Sequence, residues 1–122
     1  MSDLEQFTQG YIGAMFWTEE EEIGLEKDFD NLSKEDQDTI ENECIKFYQA
    51  NHCTMLLCSE KFSQHGHDFW LTRNGHGAGF WDRGYRKRLA NKLTKYSKEC
   101  KPAYLLLNDE TDGISYNSEW IL

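Results

Sequence analysis

Within the seventeen residues from His67 to Arg83 the chain gathers His67, Asp68, Arg73, His76, Asp82 and Arg83, the side-chain types that move protons or hold phosphate. An imidazole oriented by a carboxylate makes a general base, and the same pair makes half of a metal site. The catalytic candidates are therefore His67, Asp68, Asp82 and Arg83, arranged as a small hydrolase acting on a nucleotide or phosphoester would need them. Trp70, Arg73, Asn74, His76 and Trp81 are the candidates for binding, two large rings and three polar groups gathered about a turn. No nucleophile or recognised metal pattern accompanies them, so a structural His67–Asp82 pair is the simpler account.

Two neighbouring patterns weigh less. Gly75-x-Gly77-x-Gly79 has the glycine density of a phosphate-cradling loop, but such loops lead from a strand into a helix, and here Ala78-Gly79-Phe80-Trp81 continues as a strand. Cys53 and Cys58 with His65 or His67 would be a zinc set, yet the residues between the cysteines are Thr-Met-Leu-Leu, which read as core, and structural zinc pairs sit closer. No metal and no cofactor are expected. Cys44, Cys53, Cys58 and Cys100 are too sparse for a disulfide framework and read as free thiols of a reducing compartment.

Asn74-Gly75 between two aromatic runs is a strong hairpin signal, because both residues tolerate the positive φ of tight turns. The sequence thus predicts a β-hairpin in which Phe69, Leu71 and Phe80 share one face and Asp68, Trp70, Thr72, Gly79, Trp81 and Arg83 the other. A four-residue loop would set Trp70 opposite Trp81 and Asp68 opposite Arg83, while a two-residue turn would set His67 opposite Asp82. The stretch Gly66-His67-Asp68-Phe69-Trp70-Leu71-Thr72-Arg73-Asn74-Gly75-His76-Gly77-Ala78-Gly79-Phe80-Trp81-Asp82-Arg83 resembles the core of a family of small bacteriophage-encoded proteins. Members are similar in layout: an aromatic N-terminal helix, an acidic linker and helix, this core, and a short Asp-rich hairpin. No activity attaches to that family, so the resemblance implies a phage accessory protein and assigns no catalytic residue.

The elements that must position this core follow from periodicity. Ser2-x-x-Glu5 is a capping box, and Leu4, Phe7, Tyr11 and Met15 recur at helical spacing through Trp17. Gly10 and Gly13 weaken that helix or let another backbone approach it. Glu19 to Asp30 reads as a solvated acidic loop anchored by Ile23, Leu25 and Phe29. A second helix opens at Ser33 with Ile40, Cys44 and Phe47 inward, Glu35, Asp38, Glu41 and Glu43 outward, and Asn51 as its C-cap. Thr54 to Cys58 fits a last turn or a brief strand, and Ser59 to Gly66 a loop. A third helix spans Tyr85 to Lys98 with Leu89, Leu93 and Tyr96 inward; Ala103 to Leu107 and Ile114 to Tyr116 form a second hairpin, and Trp120, Ile121 and Leu122 pack back. The expectation is a single α+β domain over 1–122, three helices packed on a small, largely antiparallel sheet built from two hairpins.

The net charge of −9 is unevenly spread: residues 1–60 hold 15 acids against 3 bases, and residues 61–122 hold 10 bases against 7 acids. The basic third helix and two tryptophans could meet nucleic acid, but an acidic chain repels a polyanion, and pairing of that helix with the acidic second helix explains the same pattern. No apolar run long enough to span a membrane and no basic-then-apolar leader is found, so the host cytoplasm is the expected location. The leading functional reading is a non-catalytic phage protein that binds a host protein through its acidic half or its aromatic hairpin. The alternatives are the hydrolase above and an acidic surface that imitates DNA to block a host enzyme.

Overall fold

The computed structural model describes residues 1–82, 84–108, 110 and 113–120. Among them α1 (Asp3–Thr18), α2 (Glu20–Ile23), α3 (Lys34–Leu56), α4 (Phe62–Arg73) and α5 (Lys87–Glu99) precede one antiparallel pair, β1 (Ala103–Asn108) and β2 (Gly113–Ser118). Single 3-10 turns lie at Phe29–Asn31 and Phe80–Asp82. The α+β class stands, but three helices on two hairpins is corrected: the first arm of the expected central hairpin is the helix α4, and Phe80–Asp82 is a 3-10 turn.

Two physical facts account for that difference. From His65 to Arg73 only His67 lies outside the buried class, so the helix is core on nearly every side and carries no apolar stripe to reveal its period. Asn74-Gly75 does supply a positive φ, +65° at Gly75, but it ends a helix: Gly75 N–H bonds Thr72 O (3.3 Å) and His76 N–H bonds Leu71 O (3.1 Å), the Schellman pattern of a C-terminus.

α4 is buried chiefly against α1. The capping box forms, with Ser2 Oγ accepting from Glu5 N–H (3.1 Å) and Glu5 Oε1 from Ser2 N–H (3.3 Å), and Phe7, Tyr11, Ala14 and Met15 face inward. The two helices cross at Gly10 and Gly66, where a methyl group would overlap Ser63 O and Phe7 O respectively. Gly13 faces open space and plays no part in the crossing. Phe69 from α4 stacks on Phe47 from α3 at 4.0 Å, and Phe7 and Phe80 flank Phe47 at 5.5 and 6.2 Å. These rings form the centre of the core.

α3 starts at Ser33 as expected and runs on through Thr54, while Asn51, expected at its end, is buried within it and donates to Phe47 O. Glu43, expected on the outer face, is fully buried. Ile23 is buried, but Leu25 is 79% exposed and anchors nothing. The C-terminal hairpin forms, pairing Ala103 with Ser118 through Asn108 with Gly113. Two of its outward backbone donors are bound by side chains from the helical layer: Ala103 N–H by Asn74 Oδ1 (2.8 Å) and Tyr116 N–H by Asp36 Oδ2 (3.1 Å). Trp120 packs back against the rings of Phe69 and Tyr96; Ile121 and Leu122 lie outside the described residues. No described helix is long and apolar enough to cross a membrane.

Candidate functional site

The polar residues of the core stretch lie in two buried centres, on either side of α4. At its C-terminal end Arg73 uses its whole guanidinium. Nε donates to Lys101 O (2.8 Å), Nη2 to Cys100 O (3.0 Å) and Ser118 Oγ (3.2 Å), and Nη1 to Glu43 Oε1 (2.7 Å), Tyr11 Oη (2.8 Å) and Tyr116 Oη (3.3 Å). Tyr116 donates to Glu43 Oε1 (2.7 Å), and its hydroxyl lies 2.7 Å from that of Tyr11. Burial alone would lower the Arg73 pKa, but Tyr11, Tyr116 and Glu43 outweigh it and hold it above the ordinary value. Burial pushes both tyrosines up against the opposing pull of Arg73; Cys44 and Glu43 add to the rise at Tyr11, and Tyr11 and Glu43 add to it at Tyr116, so both stay protonated. This is a buried structural network, centred on Glu43 Oε1, in which Glu43 Oε2 takes no hydrogen bond among the described residues.

Nearer the start of α4, the carboxylate of Asp68 is fully buried and accepts from Gln64 Nε2 (2.9 Å) and from the Tyr85 hydroxyl (3.2 Å), while His67 Nδ1 stands 3.9 Å away. His65 Nδ1 lies 2.6 Å from the same Tyr85 hydroxyl, completing a His65–Tyr85–Asp68 chain. Burial lowers the His65 imidazole to about 4, so it is neutral at pH 7. Tyr85 is pushed up by burial and by Asp68. A cleft of about 160 Å³ reaches Tyr85 past Leu57, Cys58, Ser59, Gly84, Arg86 and Leu89. The one thiol lining it, Cys58, is pushed up by burial and by Glu60, and donates to Thr54 O (3.3 Å), which makes it a poor nucleophile. The chain of hydrogen bonds can hold a proton in place, and among the described residues no activated side-chain nucleophile stands beside it.

His65 gives the cluster a pH signature. Its folded pKa of about 4 lies below its ordinary 6.5, so the unfolded chain takes the proton first. Stability is complete above pH 6.5 and falls as pH drops towards 4, by up to about 3 kcal/mol for this group. Urea midpoints measured between pH 4 and 7 will show that loss in the wild type and a shallower one in His65→Gln. Equal slopes would place His65 in water.

The expected site residues are thus dispersed. His67 stacks on Trp17 at the helix surface, with ring centroids 5.9 Å apart, and Asp82 is exposed; no hydrogen bond or ion pair joins the two, which corrects the expected pair. Arg83 lies outside the described residues. Trp70 is fully buried and donates from Nε1 to Thr18 Oγ1 (2.6 Å), whereas Trp81 is 44% exposed beneath Lys98 Nζ (5.9 Å), so the rings are not partners. Arg73 is core, and Asn74 is spent on Trp70 O (3.0 Å) and Ala103 N–H. His76 is exposed beside Trp17, His67 and Ala78 in a shallow cleft of about 250 Å³. Among the described residues no three His, Cys, Asp or Glu side chains converge as a metal site would require. Trp70→Ala should cost about 3–5 kcal/mol in a denaturant titration, and Trp81→Ala much less because its ring is already wet.

Gln64 and Tyr85 were not legible as site residues, and His65 was weighed only as a zinc ligand beside Cys53 and Cys58. The signal was the i,i+4 spacing of Gln64 and Asp68, which has meaning only if the segment is helical. The expected pairing of the basic helix with the acidic second helix is also absent: Arg86, Lys87, Arg88, Lys92, Lys95 and Lys98 form no ion pair among the described residues. Comparisons with protein families, curated proteins and solved structures find no match.

Proposed function

We propose that this chain is a non-catalytic accessory protein that acts by binding, and so modulating, another protein, in the bacteriophage setting its resemblance implies and hence in the host cytoplasm. One observation carries the reading: among the described candidates, the buried ones are spent on the fold and the His67–Asp82 pair does not form. Arg73, Asn74, Trp70 and Asp68 are bonded within the core, and His67 and Asp82 stand apart. What is left facing solvent is charge of both signs, Glu35, Asp38 and Glu41 on α3 and the cations of α5. That is the equipment of a surface that recognises, not of a cleft that turns over substrate.

The test is a pair of measurements on the purified chain and its His67→Gln variant. Immobilised wild type will retain a host protein from lysate, and His67→Gln will retain the same one equally well. Turnover of a nucleotide or phosphoester that falls by about 10²- to 10⁴-fold in well-folded His67→Gln would establish the hydrolase instead.

A further inference from the structure

The end of α3 and the first turns of α5 enclose a cleft of about 470 Å³ lined by Thr54, Leu57, Arg86, Arg88, Leu89 and Lys92. Two features of it work against the isolated fold. Its three cations have no ion-pair partner among the described residues, and they gather where α5 begins, without an acidic residue in the first turn, so like charges crowd the end of the helix that is already positive. Beside them Leu56 and Leu57 are 56% and 69% exposed, two adjacent leucines in water.

One occupant relieves both. We propose that this cleft docks a short acidic segment of a partner protein, one that sets an apolar side chain against Leu57 and Leu89 and carboxylates against Arg86, Arg88 and Lys92. The assignment rests on the binding reading above and gives it a surface and a partner chemistry. Nucleic acid fits less well, because a phosphodiester backbone brings no apolar group to the leucines, and no aromatic ring lines the cleft to stack a base. A long polyanion would also run on into the half of the chain that holds 15 acids against 3 bases. A second copy would bring its whole charge of −9, whereas a short segment feels only the field within about 8 Å.

The probe is a fluorescently labelled synthetic peptide of glutamates interrupted by two leucines, titrated by anisotropy into the wild type and into Arg88→Glu/Lys92→Glu. Both residues are exposed, and circular dichroism will verify the fold of the variant. The expected result is salt-sensitive binding that weakens by about tenfold or more in the variant and in a peptide with serine at the leucine positions. Equal binding by the variant, tighter binding of a single-stranded oligonucleotide, or salt-sensitive self-association of the protein alone would each overturn the assignment. If lysate capture persists unchanged in Arg88→Glu/Lys92→Glu, the cleft is wrong and the binding reading survives. If no partner is captured at all, that reading fails too.

Discussion

Arg73→Met will take a large part of the protein's stability at neutral pH, although methionine is apolar and of similar reach. The substitution strips Glu43, which has no exposed surface, of its counter-charge and takes the donors from Cys100 O and Lys101 O at a stroke. Removing one partner of a buried ion pair costs about 3–5 kcal/mol, against a total stability of about 5–15 kcal/mol for a domain of this kind. Urea denaturation followed by circular dichroism measures it. The double variant Arg73→Met/Glu43→Leu should recover much of the loss, since neither buried charge then remains. A single variant as stable as the wild type would mean that the guanidinium does not sit where the structure puts it.

Gly66→Ala will be nearly as damaging, and its sign is the informative part. In the interior of an exposed helix alanine is favoured over glycine by about 1 kcal/mol. At Gly66 the added methyl meets the carbonyl of Phe7, a backbone atom that cannot swing aside, so α1 and α4 must separate along their whole contact. Overpacking of this kind costs about 1–3 kcal/mol where side chains can give way, and here none is in a position to. Gly13→Ala, in the partner helix α1 with nothing within 4 Å, should go the other way and stabilise. Thermal melts of the two variants side by side decide it: two stabilised proteins would dispose of the close crossing.

Much of the outer architecture was legible because its signals are local. Ser2 and Glu5 announce α1, Ser33 announces α3, and the apolar run after Pro102 with its turn announces the C-terminal hairpin. α4 was not, because burial on nearly all sides removes the polar face that marks a helix, and because Asn-Gly serves a hairpin turn and a helix C-cap through the same positive φ. The Arg73 network was beyond local reading for another reason. Its acceptors are backbone carbonyls, hydroxyls and the Glu43 carboxylate, 27 to 62 residues away, and nothing in their identity marks them as a set. The Asp68 cluster failed with α4, since a wrong period sends Gln64 and His65 into a loop.

The caps on the C-terminal hairpin bear on how the protein behaves when concentrated. A two-stranded sheet with Tyr104, Leu106 and Leu107 partly in water is the kind of edge onto which another chain adds a strand and starts a fibre. Strand addition needs free backbone donors as well as sticky side chains. Here Asn74 and Asp36, reaching in from the helical layer, already hold the outward donors of Ala103 and Tyr116. An incoming strand must first strip one such group off each side of the ribbon, so at Ala103 and Tyr116 the hairpin is left able to touch a neighbour but not to template one.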